Sequence, residues 1–202
     1  MQASSVIKLG GSLLDLPDLQ PRLKNFLADL SRPHPVFTCG GGSTVELIRR
    51  WDRAFDLGEE ASHWIAVRAL TINSLVLERA LPVLERAESS SAFASIWARG
   101  KVPLYDAYCF LRDADEASRD PLPRRWRVTS DSIAARMAAV LGAPEVILLK
   151  SVTPPEGITI EAAARAGIVD PHFPVASRDL DRVVLVNLRE EEPREIVVQH
   201  DA

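Results

Sequence analysis

Lysine is nearly missing from this chain of 202 residues: four are set against twenty arginines. The formal net charge is −4, so the even cationic surface of a general nucleic-acid binder is not expected. Cysteine is equally sparse. Cys39 and Cys109 share no metal-like spacing, and no Cys/His cluster supports a zinc site, so no protein-held metal is expected and both thiols are read as reduced. No run of eighteen apolar residues occurs. The first residues lack a basic stretch followed by an apolar segment and a cleavage site, and a cytoplasmic protein without a membrane partner is expected. Neither G-x-G-x-x-G nor G-x-x-x-x-G-K-[ST] is present, which removes the usual dinucleotide and P-loop signatures. Internal repeats, low-complexity tracts and a convincing linker are also missing. A single domain over residues 1–202 is the natural expectation, with 47% apolar and 26% charged residues, ordinary for a globular chain.

What the chain does contain is an alternation of short apolar strands and amphipathic helices. Residues 4–9 read as a buried strand broken by Gly10-Gly11-Ser12, and Leu19, Leu23, Phe26, Leu27 and Leu30 recur at helical spacing. Val36-Phe37-Thr38-Cys39 is a second strand, followed by Gly40-Gly41-Gly42-Ser43 and a helix with Val45, Leu47, Ile48 and Trp51 inward. Residues 59–81 form one long helix with an acidic first turn at Glu59-Glu60, which suits the helix dipole. Segments 92–97 and 102–104 read as strands or edge pieces, and 113–125 as a charged, proline-bearing surface loop. Ser130 or Asp131 caps a helix from about 132 to 141, ended by Gly142. A strand at 145–149, a short helix near 160–166 and two strands at 183–187 and 195–198 complete the chain, the last pair forming a hairpin at one edge. Near-continuous apolar strands between helices indicate a mainly parallel sheet covered on both faces: an α/β fold, a three-layer αβα sandwich.

Two of the four lysines stand where apolar strands end, Lys8 before Leu9-Gly10-Gly11-Ser12 and Lys150 before Ser151. In open α/β sheets, ligands bind where the carboxyl ends of strands meet helix N-termini. Glycines at such turns let backbone N–H groups approach a phosphate, and a lysine follows a moving phosphoryl group as a compact point charge. Phosphoryl transfer consists mostly of positioning and of neutralising charge on the transferred group. Lysines from two sides would serve that, with Asp131 between them to orient them, unless Asp131 only caps its helix.

These segments resemble the amino acid kinase family, which includes acetylglutamate, aspartate, glutamate and uridylate kinases. Val6-Ile7-Lys8-Leu9-Gly10-Gly11-Ser12 is similar to its opening strand, Thr38-Cys39-Gly40-Gly41-Gly42-Ser43 to its second glycine loop, and Thr129-Ser130-Asp131-Ser132-Ile133-Ala134-Ala135 to its aspartate-bearing helix start. The resemblance implies an ATP-dependent small-molecule kinase. Lys8, Asp131 and Lys150 would be catalytic; Gly10, Gly11, Ser12, Lys150 and Ser151 would meet ATP; Gly40, Gly41, Gly42 and Ser130 would meet the acceptor. Mg²⁺ would arrive with ATP, held mainly by its phosphates, and a homo-oligomer is implied.

The departures are definite. No lysine follows Lys150, the usual Asp-Gly pair is replaced by Ser151-Val152-Thr153-Pro154-Pro155, and the nucleotide-binding half is read as shortened. Lys150 is then the sole second lysine unless an arginine substitutes. A narrower resemblance, to a small subgroup acting in methanofuran biosynthesis, rests on Ser62-His63-Trp64-Ile65-Ala66, Trp126-Arg127-Val128-Thr129-Ser130-Asp131 and Leu148-Leu149-Lys150-Ser151-Val152. It implies that a small phosphorylated acceptor, (5-(aminomethyl)furan-3-yl)methyl phosphate, is converted to its diphosphate. Asp52 and His63 would lie on the acceptor side, Asp52 facing the aminomethyl group, or would be a solvated helix end and a structural histidine. A non-catalytic ligand-binding member and a kinase for UMP or an acyl acceptor are the alternatives.

Overall fold

The computed structural model describes residues 2–201. Seven strands form one sheet in the order β3-β4-β2-β1-β5-β6-β7. They are β1 Ser5–Leu9, β2 Pro35–Cys39, β3 Leu84–Ala87, β4 Val102–Tyr105, β5 Glu145–Lys150, β6 Arg182–Asn187 and β7 Glu195–Val198. Every neighbouring pair is parallel except β6 and β7, which make the expected antiparallel hairpin at the edge. The helices are α1 Leu19–Asp29, α2 Gly42–Phe55, α3 Glu59–Ala80, α4 Phe93–Ala98, α5 Ala107–Cys109 continuing as a π-helical turn over Phe110–Asp115, α6 Ser130–Leu141, α7 Ile160–Arg165 and α8 Phe173–Ala176. No described helix is long and apolar enough to cross a membrane.

The central strands are apolar on both sides because both sides are covered. Successive side chains alternate, so Val6, Val146 and Leu148 join the core beneath α4 to α7, while Ile7, Leu9, Ile147 and Leu149 join the one beneath α1. Helix α3 feeds both, with Leu70 on one side and Leu77 on the other. This αβα layering is the expected one.

Three local expectations are corrected. Residues 92–97 are a 3-10 turn running into α4, not a strand, because Phe93 and Ile96 are buried at a spacing of three. The edge strand is instead β3, whose Leu84 and Ala87 are buried while Glu85 pairs with Arg99 and Lys101. Trp51 does not point inward: it is 46% exposed, and Ile48 alone is the deeply buried residue of α2. Segment 113–125 is also partly ordered, since Asp115 is buried and accepts from Arg136 and from the Leu122 backbone.

Candidate active site

Strand alternation explains why the two lysines meet. Lys8 follows Val6 by two residues and Lys150 follows Leu148 by two, so both point to the face that carries α6. β1 and β5 are direct neighbours, with Lys8 opposite Leu148. Asp131, in the first turn of α6, then receives both ammonium groups, Lys8 Nζ at 2.8 Å on one carboxylate oxygen and Lys150 Nζ at 2.6 Å on the other. All three are buried, at 4%, 5% and 9% exposure for Lys8, Asp131 and Lys150. Burial alone would raise the Asp131 carboxyl, but the charges of Lys8 and Lys150 outweigh it and hold it well below the usual carboxylate range. Lys150 is lowered from the ordinary lysine value, chiefly by burial and with Lys8 adding to it, against the opposing pull of Asp131.

Asp131 does not cap its helix. That work falls to Asp170, in the loop before α8. One of its oxygens accepts from the Thr129 and Ser132 backbone N–H groups, both at 3.0 Å, and from Thr129 Oγ1 at 2.8 Å; the other accepts from Ser132 Oγ at 2.6 Å. Sequence spacing does not reveal this, because the cap arrives from about forty residues away rather than from the helix's own first residues. Asp131 is thereby released to face the lysines.

The two glycine turns stand against one another. A Cβ on Gly11 would lie 2.0 Å from the Gly42 backbone nitrogen, and one on Gly42 would lie 2.3 Å from the Gly11 carbonyl oxygen. Gly42 also holds φ at +53°, where a side chain is strained. The glycines of both turns are therefore required for their own contact as well as for any ligand. Gly40 donates its N–H to Leu9 O and Gly10 to Leu149 O, each at 2.8 Å, which continues the sheet into the turns. From α3, buried Asn73 binds the Gly40 and Gly41 carbonyls at 2.8 and 2.9 Å. Ser12 and Ser151 meet hydroxyl to hydroxyl at 3.0 Å, joining the ends of β1 and β5.

Above these turns lies a cleft of about 620 Å³. Gly11, Ser12, Gly41, Gly42, His63 and Ser130 line it, whereas Gly10, Gly40, Ser151 and the buried trio Lys8, Asp131 and Lys150 do not, and neither does Asp52. Asp52 accepts instead from the indole nitrogen of Trp126 at 2.8 Å, and it is Trp126 that forms the wall. Arg49 lies over that indole, 4.4 Å from the ring centroid, and pairs with Glu46. The inner wall is apolar, with Val45, Ala66, Val67 and Leu70. His63 is buried, and burial lowers its pKa from the ordinary histidine value, which favours the neutral ring. Two lining residues carry no signature in the sequence: Asp15, just beyond the first glycine turn, and Arg189, just beyond β6. Their positions emerge only when the strand ends are brought side by side.

Two lysines beside paired glycine turns have the chemistry to meet a polyphosphate. Among the described residues, no group of three or more His, Cys, Asp or Glu could hold a metal ion.

A mainly parallel sheet whose strand ends carry glycine turns, with two lysines on one aspartate, defines a small-molecule kinase of the α/β class. Residues 4–154 match the amino acid kinase family model, and the chain belongs to that family. The chain is similar to the [5-(aminomethyl)furan-3-yl]methyl phosphate kinase of Methanocaldococcus jannaschii, with 24% identity, covering 73% of this chain and 65% of that relative. It thus spans less than two thirds of the length of the curated relative it matches. Among solved structures it resembles UMP kinase from Ureaplasma parvum, with TM-score 0.65, 14% identity and coverage of 98% and 99% of the two chains. It also resembles aspartate kinase from Synechocystis, with TM-score 0.66, 13% identity and coverage of 98% of this chain and 41% of that one. These structural likenesses concern the fold.

Proposed function

We propose that this chain is an ATP-dependent phosphotransferase that converts a small phosphorylated acceptor, (5-(aminomethyl)furan-3-yl)methyl phosphate, to its diphosphate. The observation that carries the kinase reading is the buried Lys8–Asp131–Lys150 constellation under two abutting glycine turns. In such a transfer an acceptor phosphate oxygen bonds to the γ-phosphorus while the bond to the ADP oxygen breaks. The charge lies on the equatorial oxygens throughout, where fixed ammonium groups act most strongly in a water-poor site. Lys8 and Lys150 are assigned that neutralising role, Asp131 their orientation, and the Gly10–Ser12 turn with Ser151 the ATP phosphates. Mg²⁺ is assigned to the nucleotide phosphates, which bring it.

The cleft supports the acceptor assignment. An apolar wall of Val45, Ala66, Val67 and Leu70, joined by Trp126, suits one face of a small flat ring. Arg49, which also pairs with Glu46, is assigned to the acceptor phosphate, and the Asp15 carboxylate to its ammonium group. Asp52 serves this side by holding Trp126 in place. The substrate assignment also draws on the similarity to the Methanocaldococcus jannaschii enzyme. A cytoplasmic homo-oligomer is part of the proposal, supported by the exposed apolar stripe of Ile65, Ile72, Leu75 and Val76 along α3.

The deciding experiment is a coupled ADP-release assay with Mg-ATP against the aminomethylfuran phosphate, UMP and amino-acid or carbamate acceptors. Release with the furan phosphate alone is the expected result. A hydroxylamine-trapped product would assign an acyl acceptor instead. The alternative of a non-catalytic binder is motivated by the absence of any lysine after Lys150; nucleotide binding by calorimetry without turnover on any acceptor would establish it.

A further inference from the structure

The two lysines and Asp131 together bring only one net positive charge to a site that must face several phosphates. Where the remaining positive charge comes from is visible at the sheet edge. The carboxyl ends of β2, β1, β5 and β6 lie side by side, and Arg189 follows β6 by two residues. Its backbone is anchored at three points. The Leu188 N–H donates to the carbonyl of Lys150 itself at 2.9 Å, the Leu188 side chain is fully buried, and the Arg189 N–H donates to Asn187 Oδ1 at 3.0 Å. From there the guanidinium reaches past β5 to the first glycine turn, 3.4 Å from the Ser12 carbonyl oxygen. That contact is long, so a phosphate oxygen would displace it at little cost. Arg189 lines the cleft and has no ion pair among the described residues, whereas Arg49, the other arginine lining the cleft, is paired with Glu46 and stacked on Trp126.

We infer that Arg189 is a phosphate-binding catalytic residue, gripping the nucleotide's phosphate chain from the β6 side opposite Lys8 and supplying the cation that no later lysine provides. The inference rests on the kinase reading. Its planar fork engages two phosphate oxygens at once, which a lysine cannot do.

The test compares the full chain with Arg189→Ala, Arg189→Lys and, as a matched loss of charge in the same β6–β7 connection, Arg194→Ala, an exposed residue outside the cleft. Mg-ATP and inorganic tripolyphosphate binding by calorimetry are measured beside ADP release. Arg189→Ala is expected to lower kcat/KM by roughly 10²-fold and to weaken tripolyphosphate binding. Arg189→Lys should recover part of both, and Arg194→Ala should match the native chain. Native turnover with Arg189→Ala unchanged in rate and in binding overturns the inference and leaves the kinase reading standing. A native chain that neither binds nor turns over Mg-ATP overturns both. Equal losses in Arg189→Ala and Arg194→Ala would reduce Arg189 to diffuse charge and also overturn it.

Discussion

Asp131 is the residue on which the site balances, because it is the counter-charge for two buried ammonium groups at once. Removing one partner of a buried ion pair leaves an uncompensated charge and typically costs about 3–5 kcal/mol. Asp131→Asn is therefore expected to lose stability of that order and to abolish ADP release, measured by urea unfolding and by the coupled assay. Its folded-state pKa is depressed, so its stabilising contribution is fully present above the ordinary carboxylate value near ~4 and is lost as pH falls below it. Native and Asp131→Asn unfolding free energies should accordingly converge on acidification. Lys150 has the opposite relevance, on the alkaline side. Because its pKa is lowered, the free protein loses that ammonium before an ordinary lysine at about 10.4 would. The pH profile of kcat/KM, which reports the free enzyme, should show a descending limb below that value. Lys150→Arg, permanently charged, should lack the limb if it turns over; a limb unchanged in that variant would assign it elsewhere.

Helix α6 shows how an element can serve chemistry that its own residues do not position. Its N-terminus is clamped by Asp170, a residue that lies beyond the stretch matching the family model. Asp170→Ala removes a buried cap with four partners in α6 and Thr129, and about 2 kcal/mol of stability is expected to go with it. Hydrogen exchange should accelerate at Ser132 and Thr129, whose N–H groups lose their acceptor, and kcat should fall while the Lys8–Asp131 charge balance is intact. Legibility was uneven among the elements for physical reasons. The strands that end at Lys8 and Lys150 were plain because both faces of the sheet are covered, which makes their apolar runs continuous. β3 was hidden because an edge strand tolerates Glu85 and Arg86, and α4 because one and a half turns with two buried residues look as much like a strand. The strand-end lysines and the helix-start position of Asp131 are legible in the sequence, while Asp170, Arg189 and the Trp126–Asp52 contact depend on chain segments meeting from far apart, for which no local pattern exists.

At the scale of the molecule, the stripe along α3 predicts self-association. Ile72 and Val76 are 57% and 60% exposed on one helical face, an uncommon placement for such side chains unless a second surface covers them. Ile72→Lys with Val76→Glu should yield a monomer by sedimentation while the native chain sediments as an oligomer; equal sedimentation of the two would place the interface elsewhere. The backbone contact between Gly11 and Gly42 carries a further consequence for how the two halves of the cleft communicate. With no side chain between them, the two turns form a single floor, so neither can shift without carrying the other. Gly11→Ala, forced to open that seam, should raise the Michaelis constants for nucleotide and acceptor together rather than one alone. Any independent adjustment of the cleft is left to the side chains of its walls, Trp126 and Arg189 among them.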